Sequence, residues 1–141
     1  MKTHASFSVP GAPVGKARAR SGNGRHYTPK KTRDYEGLVF ACFKEAHTNF
    51  ETIPAGTPIA ISITVFYPIA KSDSKKVRAE KLSAKRLPVI KPDIDNVVKA
   101  ILDALQGESG AYTNDSQVCC IFAQKFYSEH PRVDVEIETV G

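Results

Sequence analysis

Residues 91–107 read KPDIDNVVKAILDALQG, and no other stretch restricts the fold as tightly. Apolar side chains fall at 94, 97, 98, 101, 102 and 105, the spacing of a helix with one buried face. Such a helix needs an apolar surface to lie on. Residues 58–68, PIAISITVFYP, supply one: Ile59, Ile61, Ile63 and Val65 alternate as in a central strand. The helix spans about 94–106, with Asp93 or Asp95 as cap and Gly107 as its stop.

The remaining periodicities fit around this pair. HASFSVPG reads as a first strand ending at Pro10-Gly11, and residues 11–28 read as a mobile basic loop. Thr28-Pro29 starts a helix running to about 48, with Tyr35, Leu38, Val39, Cys42, Phe43 and Ala46 inward. Residues 72–86 are polar almost all round, which leaves a surface helix or a segment that orders on binding. SQVCCIFAQKFYS and RVDVEIETV read as two strands, paired across Glu129-His130-Pro131. The expectation is an α+β fold in one domain over 1–141, a small mixed β-sheet with helices packed on one face, in the order β-α-β-α-β-β.

Charge is distributed unevenly. Residues 1–33 hold eight Lys/Arg and no acid, and residues 71–91 hold eight against Asp73 and Glu80. The remainder is acidic, so the net charge of +5 hides two basic segments beside clustered carboxylates. That is an electrostatic footprint for a polyanion; the plainer reading is two solvated loops. No apolar run is long enough to span a membrane, and the first twenty residues lack the apolar block of a signal peptide. Three cysteines, two adjacent, make a poor disulfide framework. The expectation is a reduced, cytoplasmic protein.

The helix at 94 opens with two acids where a cap needs one. Asp115, in YTNDSQV, precedes the next strand, and the intervening loop is long enough to return it to the helix N-terminus. Three converged carboxylates repel one another unless a cation sits between them, and hard oxygens suit Mg²⁺ or Mn²⁺. Equally, Asp93 and Asp95 can be alternative caps and Asp115 a turn residue. Lys99 can pair at i,i+4 with Asp95 or Asp103, and Asp103 reads as structural.

PDIDNVVKAILDAL followed by YTNDSQV resembles the signature of the RusA family of Holliday junction resolvases, and VPGAPVGKARAR…YTPKKTRDYE is similar to that family's opening segment. The resemblance runs from about residue 8 to at least 128. It implies a small, homodimeric, Mg²⁺-dependent endonuclease that nicks four-way DNA junctions symmetrically. It places the essential acids on Asp93, Asp95 and Asp115, all three as metal ligands, and the essential lysine on Lys99. Asn114 stands where relatives often carry another acid. Lys16, Arg18, Arg20, Arg25, Lys30, Lys31, Lys75 and Lys76 are then expected to grip phosphates without reading sequence. Tyr27 is a candidate for stacking on an unpaired base, although an aromatic just before a helix more often packs. Two opposed nicks call for two sites related by a two-fold axis, hence a homodimer. The competing classes are a non-catalytic branched-DNA-binding protein and a metal-dependent nucleotide phosphatase.

Overall fold

The longest alternating run takes the middle of the sheet. The computed structural model describes residues 2–17, 20–22 and 25–141. Its strands are β1 (His4–Pro10), β2 (Arg20–Gly22), β3 (Arg25–Tyr27), β4 (Ile59–Pro68), β5 (Val118–Ser128) and β6 (Arg132–Thr139). Its helices are α1 (Lys30–Ala46), α2 (Lys75–Leu82) and α3 (Ile94–Leu105), with one 3-10 turn at Asp115–Gln117. The main sheet has the order β1-β6-β4-β5, and β2 and β3 form a separate antiparallel pair. β4 runs antiparallel to β6 and parallel to β5, so the sheet is mixed.

Two sequence expectations are corrected here. β5 and β6 are consecutive but do not pair, because β4 lies between them. The reason is burial. Val133, Val135 and Ile137 of β6 are all inward, and Val135 stands opposite both Phe7 and Ile63, so β6 fills an interior position. β5 leaves Ile121 and Phe122 exposed and goes to the edge. The second correction is the segment 11–28, which carries the β2–β3 pair rather than being all loop. The element order therefore gains two short strands before α1.

The helical layer sits as the periodicity requires. Ile59, Ile61, Ile63, Val65 and Tyr67 turn one face of β4 inward, against a core shared with Tyr35, Val39 and Phe43 of α1 and Val97, Ile101 and Leu105 of α3. Burying each such aliphatic side chain contributes about 1.5–3 kcal/mol. An exposed i,i+4 charge pair contributes only about 0.3–0.5 kcal/mol, so the apolar face holds α3 in place and leaves its polar face free for other work. Gly107 follows with φ +124°, the left-handed stop its position suggested. The polar segment settles as a surface helix, α2, with no buried residue. Ser74 caps it by accepting from Val77 N at 3.2 Å, and Arg78 ties it to Glu129 at 2.8 Å. Cys42, Cys119 and Cys120 are free thiols. Among the described residues no helix is long and apolar enough to cross a membrane.

Candidate active site

Asp93 stands at the N-cap position of α3, yet its side chain accepts no capping hydrogen bond. Asp95 follows in the first turn, and both residues are exposed. Nothing among the described residues forms an ion pair with either carboxylate. A capping role thus accounts for neither acid.

The turn carrying Asp93 is braced from the sheet. The phenol of Tyr67, at the end of β4, donates to the carbonyl of Pro92. Burial first, then the nearby Asp93 carboxylate, pushes that phenol up to about 12, so it keeps its proton and goes on donating. Lys125 of β5 donates to the Ile90 carbonyl at 2.9 Å while its ammonium lies 4.7 Å from the centre of the Tyr67 ring. Sequence reasoning misses both residues. A tyrosine at the end of an alternating strand gives no signal beyond being an aromatic with a polar tip at an inward position.

From the other side, residues 15–17 clasp the head of α3. Lys16 N donates to Asn96 O at 2.8 Å, and Ala17 N donates to Thr32 Oγ1 at 3.1 Å. Gly15 is needed for this approach: a Cβ there would stand 3.0 Å from Pro92 Cβ and 3.1 Å from Asn96 Cβ. The result is an open cleft of 460 Å³ lined by, among others, Lys31, Lys91, Asp93 and Asn96.

Lys99 lies one turn below Asp95 and is exposed. The i,i+4 pairs that would have explained it are absent among the described residues. Asp103 pairs instead with Lys16 at 3.1 Å, and Lys16 also meets Glu36 at 2.7 Å. Lys16, expected from the sequence to hold phosphate, makes these two ion pairs within the chain. Its side chain is only 17% exposed and faces two carboxylates, so it joins the 15–17 segment to α1 and α3. Asp103 is structural, as its position suggested.

Asp115 is not returned to the head of α3. Its backbone N–H donates to the side chain of Gln106, the residue after the last turn, at 3.2 Å. Tyr112, whose phenol is kept protonated by burial and then by Asp115 and Asp103, donates to Leu102 O in the same region at 2.6 Å. About 16 Å of helix separates Asp95 from Gln106. The cause is topological. Because β5 is parallel to β4, it must start beside Ile59, at the end of the sheet opposite Tyr67. Among the described residues no three His, Cys, Asp or Glu side chains cluster closely enough to hold a metal. The chain therefore carries Asp93, Asp95 and Lys99 on the first turns of α3 and Asp115 at the far end of that helix. Asn114 is a cap: its Oδ1 accepts from Ser116 N at 3.0 Å, and Gln117 Oε1 accepts from Asn114 N at 2.9 Å.

Of the other basic residues, Lys31, Lys75 and Lys76 are exposed. Lys30 makes a surface pair with Asp34 at 2.6 Å, which polyanion binding can displace. Arg18 lies outside the described residues, as do the side chains of Arg20 and Arg25. Tyr27, at the end of β3, is half exposed.

The mixed sheet thus carries two exposed aspartates on a braced helix head, without ion-pair partners among the described residues, beside an open cleft lined in part by lysines. The profile of the family Endodeoxyribonuclease RusA matches residues 10–138, and the chain belongs to that family of endodeoxyribonucleases. It is also 38% identical over 141 residues, 96% of each chain, to "Uncharacterized protein YqaN" of Bacillus subtilis (strain 168).

Proposed function

We propose that this chain is a divalent-metal-dependent endonuclease that resolves four-way DNA junctions as a homodimer. The observation that carries the reading is the pair of exposed carboxylates, Asp93 and Asp95, which have no ion-pair partner among the described residues and are held by the brace from Tyr67 and the clasp from residues 15–17. Two exposed carboxylates two residues apart at one helix head offer hard oxygen ligands, and Mg²⁺ or Mn²⁺ fits that chemistry. Such an ion, when bound, supplies an activated water and neutralises charge on the phosphoryl oxygens. The chain's own part is to hold that ion through Asp93 and Asp95, to aim the Lys99 ammonium at the scissile phosphate, and to seat neighbouring phosphates on Lys31, Lys75 and Lys76.

The third carboxylate comes from the dimer. β5 is an edge strand, and Ile121 (47% exposed) and Phe122 (60%) are left uncovered on it. Two copies pairing β5 to β5 antiparallel, about a two-fold axis near Ala123, would set the start of one β5 against the end of the other. The head of α3 sits at that end, since Tyr127 is paired with Tyr67. The partner subunit's Asp115 would then approach Asp93 and Asp95, which is the convergence that one protomer does not make. The same axis relates two sites, as two opposed nicks require. Sedimentation at micromolar concentration should give twice the chain mass; a monomer, with or without junction DNA, contradicts the reading.

The basic surface is expected to bind backbone rather than sequence. Replacing Lys75 and Lys76 by Ala should weaken binding alike on unrelated sequences. It should also flatten the dependence of log K on log salt, by about one unit for each phosphate that is no longer neutralised. Titrations at four salt concentrations measure this, and an unchanged slope would make α2 a bystander.

A further inference from the structure

The segment between α2 and α3 presents three aliphatic side chains to solvent within four residues. Val89 is 93% exposed, Ile90 52% and Leu87 50%. The backbone beneath them is fixed: Pro88 is buried, the Ile90 carbonyl accepts from Lys125, and the Pro92 carbonyl accepts from Tyr67. The three side chains are therefore held outward. Exposed cations flank them on both sides, Lys85 and Arg86 before and Lys91 after. Ile90 is three residues from Asp93, so its Cα lies within about 10 Å of that of Asp93.

We propose that Leu87, Val89 and Ile90 form an apolar wedge that enters the branch point of DNA and selects branched over linear substrate. The proposal rests on the junction-nuclease reading above. Flanking lysines and arginine suit a polyanion, and aliphatic side chains between cations suit the face of an exposed base. Insertion into a continuous duplex breaks stacking at a cost of about a few kcal/mol per step. At a branch point stacking is already interrupted, so the same insertion costs less there. The wedge thus discriminates by shape, not by base identity, and it does so next to the carboxylates that cut.

The test combines Leu87→Ser, Val89→Ser and Ile90→Ser in the full-length chain. All three side chains are at least half exposed, so folding should be unaffected. Affinity for a synthetic four-way junction and for a linear duplex is measured in EDTA, with 2-aminopurine at the branch point reporting unstacking. The wild type should prefer the junction and raise 2-aminopurine fluorescence. The variant should keep its duplex affinity, lose about tenfold or more in preference for the junction, and leave the fluorescence low. A variant that keeps both the preference and the fluorescence rise overturns the wedge alone. A wild type with no preference for the junction overturns the junction reading and the wedge with it. A variant that sediments at half the wild-type mass assigns these residues to an interface between copies, which also overturns the wedge.

Discussion

Mixing two inactive variants, Asp95→Asn and Asp115→Asn, should restore nicking. If each site combines Asp93 and Asp95 of one subunit with the partner subunit's Asp115, each homodimer has two broken sites. A mixed dimer is different. One of its sites carries both lesions and the other carries none. Random exchange of equal amounts makes half of the dimers mixed, so about a quarter of all sites should be intact. Such dimers have one working site, so the product should be a nicked junction rather than two resolved duplexes. Co-expression of the two variants followed by a nicking assay in Mg²⁺ measures this. If each site were built from a single chain, every site in the mixture would carry one lesion, and the mixture would stay as inactive as its parts.

Asp95→Asn alone should separate binding from chemistry. The side chain is exposed in the first turn of α3 and caps nothing, so the loss of its interaction with the helix dipole should cost about 0.3–1 kcal/mol at most. Nicking should fall by about 10²-fold or more, because one of the two carboxylates that hold the cation is gone. Junction binding in EDTA should stay equal or tighten, since a charge that repels phosphate has been removed. Lys99→Ala should lose cleavage as well, but binding should loosen, because it removes a cation. Gel shifts in EDTA beside nicking assays in Mg²⁺ distinguish the two. Near wild-type cleavage by Asp95→Asn would reduce Asp95 to a surface residue.

How far the sequence carries follows from which interactions are local. α3 is legible because an amphipathic period and a glycine stop are properties of neighbouring residues, and β4 is legible for the same reason. The pairing of β6 is not. It depends on which strand buries its face most completely, a comparison across the whole sheet. The distance of Asp115 from Asp93 has a related cause. Loop length permits a return to the helix head, but the parallel register of β5 on β4 forbids it. The surroundings of Lys16 are a third thing the sequence does not show: Glu36 and Asp103, 20 and 87 residues away in sequence, lie beside it. The pair Asp93 and Asp95, by contrast, is already conspicuous in sequence as one acid too many for a helix cap, and Asp93 proves not to cap at all.

The most direct measurement takes the full-length wild-type protein and an immobile four-way junction labelled on each strand in turn. With Mg²⁺ present, two opposed strands should be cut at symmetric positions, giving two linear duplexes, and EDTA should abolish the cuts without abolishing binding. An intact junction under excess protein and Mg²⁺, or cutting that persists in EDTA, would contradict the account.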